Sequence, residues 1–320
     1  MTTGTGLTMP RRSFLQTAVA GGVLCLGSSG QAVAADDDAG WIDAHSHIWS
    51  TNLGKYPLAD GQTVEDLQPR EFTAEQLIAM GKSQGVQRFV LIQHKPYHGL
   101  DNSILLDAIA AHSGVFSAVA CVEAAGAAPQ DDMRRLAARG VRGFRIRPGE
   151  GGHDHWRDSP GMRAMWKCAA ETGLAMCPLI NPEYLSEVAE MCQQYREANV
   201  VIDHFARIGM DGEVREADLK SLCDLARFPQ TNVKISAYYA LGKKAPPYLD
   251  LIPMIQRLSE AYGPSRLMWA TDSPYQLTPP NTYAASLELV RDHLSFLSED
   301  DCNQVLRGTA QRVFFAPVRL

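Results

Sequence analysis

The sequence predicts an α/β protein of the (β/α)8 class, a TIM barrel built by one domain. Short apolar and β-branched runs alternate with longer runs of helical period, and each kind of run occurs eight times. The turn after the first predicted strand contains His45 and His47, whereas a doubly wound open sheet, the alternative, usually has a glycine-rich turn there. The 320-residue chain has room for such a barrel, which uses about 250 residues.

The predicted elements alternate along the chain as strand and helix. Each strand is an apolar or β-branched run: 41–44, 88–93, 116–122, 141–147, 174–180, 199–203, 232–236 and 266–271. Each helix carries apolar residues three or four positions apart: 73–83, 103–112, 131–138, 162–172, 182–197, 217–226, 248–262 and 283–297. A helix after every strand predicts parallel pairing, and eight such units predict closure into a barrel.

The composition is that of an ordinary globular protein. With 45% hydrophobic and 21% charged residues, it excludes disordered and fibrous classes. The net charge is −6 and no run of Lys or Arg occurs, so we expect no nucleic-acid partner. The cysteines beyond residue 35 lie in apolar contexts without a CxxC pair, which predicts buried free thiols: Cys121, Cys168, Cys177, Cys192, Cys223 and Cys302.

The N-terminus carries targeting chemistry. Residues 11–15 read RRSFL and open a weakly apolar stretch that ends in AVAA at 32–35, which resembles a twin-arginine export signal. We expect residues 1–35 to be a cleaved signal peptide and residues 36–320 to be the mature domain. The twin-arginine translocation machinery would then deliver the folded protein to the periplasm or another extracytoplasmic compartment. An uncleaved segment that anchors the protein in the membrane is the alternative.

Four polar residues follow predicted strands at the end where barrel active sites form. His45 and His47 stand two positions apart after the first strand, so both point to one face. His204 follows the sixth strand and Asp272 follows the eighth. Two neutral imidazoles are good zinc ligands, and further ligands from other strands complete such a site. The pattern predicts a functional site of these four residues.

Four segments of the chain resemble the amidohydrolase superfamily and, within it, the lactonase-like subgroup of the amidohydrolase-2 branch, which includes pyrone-dicarboxylate lactonases and fuconolactonases. They are 42–47 (IDAHSH), 140–145 (GVRGFR), 201–204 (VIDH) and 269–274 (WATDSP). The resemblance implies that His45, His47, His204 and Asp272 bind one divalent metal, with zinc expected, and that Asp272 handles protons while His204 assists catalysis.

The chain departs from metal-binding relatives at two strands. The fifth predicted strand ends in CPLIN at 177–181, without the histidine that those relatives have. The fourth strand has Arg145 and Arg147 where two-metal members have a bridging lysine or acid. A binuclear site is therefore not expected, and in the lactonase subgroup some members use one metal ion and others use none.

Several further side chains are candidates for binding substrate. Arg145 and Arg147 share one face of the fourth strand, and guanidinium groups bind carboxylates bidentately, which predicts an anionic small-molecule substrate. An internal salt bridge to Glu150 or an aspartate is the alternative. Lys234 lies inside the seventh strand and needs a partner or a ligand there, Gln93 closes the second strand, and Tyr275 lies on a loop at the mouth.

These residues predict a hydrolase that activates water in a His/Asp site and opens a lactone, or a related ester, of a carboxylate-bearing small molecule. Asp272 would act as the general base. A metal-dependent decarboxylase of the same superfamily is the enzymatic alternative. A non-catalytic barrel that binds a small acid is the alternative from another class, because one barrel fold serves many functions.

Overall fold

The computed structural model describes Met1 and residues 40–320. The predicted signal peptide, 1–35, and its cleavage site therefore lie outside the described residues apart from Met1. Among the described residues, no helix is both long enough and apolar enough to cross a membrane.

Eight parallel strands form one sheet in the order of the chain, and helices follow them on the outside, which confirms the predicted barrel. The sheet closes between its first and last strands: Asp272 N donates to His45 O at 2.8 Å, and His47 N donates to Ser273 O at 2.8 Å. The strands are β1 Trp41–Ser46, β2 Val86–Ile92, β3 Phe116–Ala120, β4 Val141–Ile146, β5 Ala175–Pro178, β6 Asn199–Ile202, β7 Thr231–Ile235 and β8 Leu267–Trp269.

The helices cover the outer face of the barrel. They are α1 Ala74–Lys82, α2 Lys95–His98, α3 Ser103–Ala111, α4 Pro129–Ala137, α5 Pro160–Thr172, α6 Leu185–Gln194, α7 Glu216–Asp224, α8 Ile252–Tyr262, α9 Tyr283–Glu288, α10 Glu299–Asn303 and α11 Thr309–Phe314. The predicted helix 283–297 is shorter as an α-helix, because α9 passes into a π-helical turn at Leu289–His293. The short helix α2 and the pair α10 and α11 were not predicted.

Two strand ends differ from the prediction for identifiable reasons. Strand β5 ends at Pro178, two residues earlier than predicted, since proline has no N–H to continue the ladder. Strand β1 runs to Ser46 and contains a bulge. Asp43 pairs with Phe89 on β2 and Ser46 pairs with Leu91, so β1 has one residue more than β2 between the two pairs. The extra residue lets His45 turn into the barrel interior directly after Ala44.

The core has two layers. Apolar side chains of the strands fill the barrel interior, among them Val90, Val119, Val201 and Met268. A larger cluster packs the outer faces of the strands against the helices. The interior is polar at its C-terminal end, where buried Arg145, Lys234, Asp203 and His45 replace apolar residues. This polar layer is the floor of the site.

Candidate active site

A cavity of about 270 Å³ opens at the C-terminal ends of the strands. Its polar lining comes from β4 and from the segments directly after β1, β2, β4, β6, β7 and β8: His47, His94, Arg145, Arg147, His204, Arg207, Tyr239, Asp272 and Tyr275. Six of the nine predicted site residues line this one cavity: His47, Arg145, Arg147, His204, Asp272 and Tyr275. His45 lies directly behind the lining.

Asp272 is the centre of this cavity. Its Oδ1 lies 3.1 Å from His47 Nε2 and 3.4 Å from His45 Nε2. Its Oδ2 accepts a hydrogen bond from the Tyr239 hydroxyl at 2.7 Å and lies 3.8 Å from His204 Nε2. Burial opposes ionisation, but His204 and the hydrogen bond from His47 outweigh it and hold the pKa of Asp272 well below its ordinary value. The carboxylate is thus an ionised base that faces a cavity.

His204 lies on an unusual backbone turn. His204 and the three residues after it all have positive φ, at 52°, 54°, 53° and 59°, although none is glycine. Such a left-handed turn costs roughly 1–2 kcal/mol per residue, so tertiary contacts must impose it. One of those contacts joins His204 Nδ1 to Ser236 Oγ at 2.8 Å. The turn directs His204 at its first position and Arg207 at its last into the same cavity.

His204, beside Asp272, is a neutral imidazole rather than a permanent cation. Burial lowers the pKa of His204 to about 4, with Arg145 and Lys234 acting in the same direction. His47 Nδ1 lies 2.8 Å from Ile92 O, a group that only accepts, so this nitrogen carries a proton. His47 Nε2 therefore faces the Asp272 carboxylate across 3.1 Å with either a second proton or a metal ion between the two atoms.

His45 is held by two buried cations and a carboxylate. Its Nε2 lies 3.0 Å from Arg145 Nη2, and its Nδ1 lies 3.4 Å from Asp203 Oδ1 and 3.2 Å from Lys234 Nζ. Burial and then Lys234 lower the pKa of His45 well below its ordinary value, so the ring is neutral and has one N–H. With Nδ1–H directed at Asp203 and Nε2 accepting from Arg145, these two partners are satisfied, and Lys234 keeps its ion pair with Asp203.

Asp203 was missed at the sequence level and organises the floor of the site. It is fully buried, accepts a hydrogen bond from Arg145 Nη2 at 2.9 Å and forms an ion pair with Lys234 Nζ at 3.0 Å. Burial opposes ionisation, but Lys234 and Arg145 hold the pKa of Asp203 well below its ordinary value. An acid inside an otherwise apolar strand, directly before His204, was the available signal. Arg145 thus makes the internal salt bridge that was the alternative to a direct substrate contact.

Two residues predicted to bind substrate are not in the lining of this cavity. Gln93 is fully buried, and its amide donates to Asp101 O at 2.6 Å and Gly99 O at 3.2 Å, so it fixes the loop after β2. Lys234 is also fully buried, and its ammonium group forms an ion pair with Asp203 below the cavity. Alternation along a strand predicts the inward face, but not how far below the mouth a side chain lies.

The mouth contains three further side chains that the predicted site did not include. Arg207 lies on the left-handed turn, Tyr239 donates to Asp272, and His94 Nε2 lies 2.5 Å from the Tyr275 hydroxyl. The predicted Arg147 is at the mouth as well, and its backbone N–H donates to Glu150 Oε2 at 3.1 Å. Arg207, three positions after His204, could have been noticed in the sequence as a cation close to a predicted site residue. The positions of Tyr239 and His94 depend on loop geometry, which the sequence does not show.

Three residues could hold a divalent metal ion. One ligand atom from each of His45, His204 and Asp272 lies within 4.8 Å of the others, and this is the one such set among residues 40–320. The set has two imidazoles and a carboxylate, which is a common donor combination for zinc. His47 Nε2 also lies 3.1 Å from Asp272 Oδ1, and in its unprotonated form its lone pair would favour a cation at this point. Arg145 would have to release His45 Nε2 for that nitrogen to bind metal.

Comparisons with known proteins agree with this architecture. A 4-sulfomuconolactone hydrolase from Hydrogenophaga intermedia is 28% identical over 237 residues, which cover 73% of this chain and 74% of the relative. An L-fucono-1,5-lactonase from Burkholderia ambifaria is 28% identical over 236 residues, which cover 73% of this chain and 80% of the relative.

A solved structure and a family model complete the comparison. The crystal structure of a probable 2-pyrone-4,6-dicarboxylic acid hydrolase from Acinetobacter baumannii superimposes with a TM-score of 0.72 at 20% identity, covering 87% of this chain and 100% of the other. This likeness supports the barrel fold. The family model described as amidohydrolase matches residues 42–316, a range that includes all eight strands except Trp41 and every site residue discussed above. The chain therefore belongs to the amidohydrolase family.

Proposed function

We propose that this protein is a lactonase that hydrolyses a small lactone bearing an acidic group. The observation that carries the proposal is the ionised Asp272 carboxylate, which lies among imidazoles at the floor of a cavity whose rim has free guanidinium groups. The two relatives described above are named as hydrolases of lactones, one of them a sulfonated lactone. Their names support this reaction class, and the charges of the cavity support an acidic substrate.

Asp272 is placed to activate water. A water molecule that attacks the lactone carbonyl carbon gives one proton to the Asp272 carboxylate as its oxygen forms the new C–O bond. The carbonyl oxygen would lie against His47 and His204, where N–H groups or a cation stabilise the negative charge that develops on it. The ring C–O bond then breaks, and the proton on Asp272 passes to the leaving oxygen. The reaction consumes the lactone and one water molecule and needs no other reactant.

The rim of the cavity binds anions. Neither Arg147 nor Arg207 forms an ion pair with a carboxylate in the part of the chain that the structure describes, although Arg207 Nη1 lies 3.5 Å from Asn181 Oδ1. Unpaired guanidinium groups on a cavity wall attract carboxylate or sulfonate groups and bind them through parallel N–H donors. Arg145 is already neutralised by Asp203, so the two outer arginines are the groups that recognise the acid.

We further propose that the metal is zinc, held by His45, His204 and Asp272 with His47 beside them. The donor types favour zinc, and the ion would supply a Lewis acid that polarises the lactone carbonyl. The protein groups described above bind the substrate and move its protons whichever cation is present.

An assay of ring opening tests the proposed function. Purified protein is given 4-sulfomuconolactone and, as a neutral lactone, L-fucono-1,5-lactone, and acid release is followed at constant pH. We expect faster hydrolysis of the acidic lactone by the wild-type protein and no turnover by Asp272→Asn, which keeps the size of the side chain but removes the base. Turnover retained by that variant, or release of carbon dioxide from a carboxylated substrate without ring opening, would refute the proposal.

We also propose that the protein is exported by the twin-arginine route and acts outside the cytoplasm. The proposal rests on the RRSFL and AVAA segments of the N-terminus. Changing both Arg11 and Arg12 to Lys should retain the protein, at its full length, in the cytoplasmic fraction. An unchanged distribution between fractions would contradict export by this route.

A further inference from the structure

An ion pair between Lys95 and Glu150 connects two loops at the mouth of the barrel. Lys95 begins α2, directly after β2, and Glu150 lies in the loop after β4. Lys95 Nζ lies 2.5 Å from Glu150 Oε1, and the two side chains are only 33% and 18% exposed. Pro96, the residue after Lys95, lines the cavity, and so does Arg147, three positions before Glu150. The pair therefore lies beside the rim that we assign to binding the acid group.

Glu150 also fixes the backbone from which the Arg147 side chain extends. The N–H of Arg147 donates to Glu150 Oε2 at 3.1 Å. The carbonyl oxygen of Arg147 accepts from Nε1 of Trp156 at 3.0 Å, and Trp156 is fully buried. Both polar backbone groups of Arg147 are thus bound by the loop that follows it. This loop determines where the guanidinium side chain begins, while its charged end lies at the cavity.

Glu150 is at the same time a natural competitor for Arg147. Carboxylates and guanidinium groups attract each other strongly and form paired hydrogen bonds, and Glu150 already contacts the Arg147 backbone. In the described part of the chain, however, Glu150 pairs with Lys95, and the Arg147 guanidinium has no ion pair. One carboxylate oxygen accepts from Lys95 and the other from a backbone N–H. Both oxygens of Glu150 therefore have partners other than the guanidinium.

The ion pair also sets the charge at the rim. Because Lys95 neutralises Glu150, the charges that stay uncompensated there are the guanidinium groups of Arg147 and Arg207. Without the ammonium group of Lys95, the Glu150 carboxylate would offset one of them and would repel an anionic ligand. Lys95 thus affects the binding of an acid group although it does not line the cavity.

We propose that Lys95 is a specificity-determining residue for acidic lactones: by pairing with Glu150, it keeps that carboxylate away from the Arg147 guanidinium, which is then free to bind the acid group of the substrate. Lys95 acts through Glu150 and needs no contact with the substrate. A purely structural ion pair differs, because its loss from either side would have the same effect. The proposal rests on the proposed lactonase function.

The two sides of the ion pair are therefore changed separately and together. KM is measured for 4-sulfomuconolactone and for the neutral L-fucono-1,5-lactone. Lys95→Met removes the charge, and we expect it to raise KM for the sulfonated lactone by about 10-fold, the low end for loss of a charge-assisted hydrogen bond. KM for the neutral lactone should stay within about 3-fold of the wild-type value, because that lactone has no acid group to lose its partner.

The opposite side should behave differently. Glu150→Gln keeps an oxygen for the Arg147 N–H but removes the competing charge, so it should not raise KM for the sulfonated lactone. For the same reason, the double variant Lys95→Met with Glu150→Gln should return this KM to within about 3-fold of the wild-type value. A harmful change that is repaired by removing the partner's charge is not expected of an ion pair that only stabilises the loops.

Three further variants serve as controls. Lys95→Arg keeps the positive charge and should keep the wild-type ratio of the two KM values. Lys95→Gln removes the charge with a polar side chain and should repeat the effect of Lys95→Met, so the test does not depend on the folding of one variant. Lys55→Met breaks an ion pair of 2.8 Å with Asp107 outside the cavity and should leave the ratio unchanged. Thermal unfolding of each variant identifies any loss of folding.

Each outcome decides between the claims. An unchanged KM ratio in Lys95→Met and Lys95→Gln would overturn the role of Lys95 while the lactonase function stands. Equal increases in Lys95→Met and Glu150→Gln, without recovery in the double variant, would show a structural ion pair and would also overturn it. A wild-type protein that opens neither lactone would refute the proposed function itself, and this proposal with it.

Discussion

Replacing Asp203 by Asn tests whether the buried carboxylate holds the floor of the site together. Asp203 is fully buried, and its two oxygens lie 2.9 Å from Arg145 Nη2 and 3.0 Å from Lys234 Nζ. Asn keeps the shape but removes the negative charge, which leaves two buried cations without compensation. Breaking a buried ion pair on one side costs about 3–5 kcal/mol. For a chain of this size that corresponds to a fall in Tm of roughly 6–20 °C.

The assay is chemical and thermal unfolding followed by circular dichroism. Asp211→Asn is the matched control: Asp211 pairs with Arg215 at 2.7 Å, but both side chains are about half exposed, so the loss should stay below about 1 kcal/mol. Asp203→Asn combined with Lys234→Met should recover part of the stability, since it removes one of the uncompensated cations. If the free energy of unfolding of Asp203→Asn lies within about 1 kcal/mol of the wild-type value, the reasoning is refuted.

Three other perturbations have defined outcomes. Arg147→Met and Arg207→Met should each raise KM for the sulfonated lactone by about 10–100-fold, because each variant loses a charge-assisted hydrogen bond to the acid group. KM for the neutral lactone should stay within about 3-fold of the wild-type value. Equal effects on both lactones would exclude a role in acid recognition. Protein purified without added metal should contain about one zinc per chain by plasma mass spectrometry, and His204→Ala should lose it; metal-free protein with full activity would exclude the zinc assignment. The pKa of His94 is about 2 in the folded protein and about 6.5 in the unfolded chain, so the unfolded state binds the proton first as the pH falls. The free energy of unfolding should therefore decrease by about 2 kcal/mol between pH 7 and pH 5 and continue to decrease towards pH 2. In urea unfolding, His94→Gln should not show this decrease in the free energy of unfolding. A pH dependence identical to that of the wild-type protein would show that the pKa of His94 is not lowered in the folded state.

The sequence was sufficient to predict the order of the strands and the family, and the structure and the family model confirm both. Apolar runs of strand length separated by helical runs determine the topology, because each βα unit folds back in only one direction. The positions of His45 and Asp272 at strand ends were predictable for the same reason. Their chemical roles stay predictions until the variants are measured.

What the sequence could not show are conformations imposed by tertiary contacts. Residues 204–207 contain no glycine, so local preferences argue against four successive positive φ angles there. The bulge in β1 depends on register with β2, which single-strand patterning does not encode. The depth of Lys234 and Gln93 depends on the stagger of neighbouring strands. Each of these features changes which atoms meet in the cavity rather than which elements form.

The seam between β1 and β8 has a consequence for biosynthesis. Asp272 N bonds His45 O across that seam, so the catalytic set joins residues separated by 227 positions of chain. During translation, the imidazoles of β1 emerge from the ribosome long before their carboxylate partner. A product that ends before Asp272 therefore cannot combine the base with the imidazoles and the acid-binding rim. Completing the site requires the last strand to insert and close the barrel.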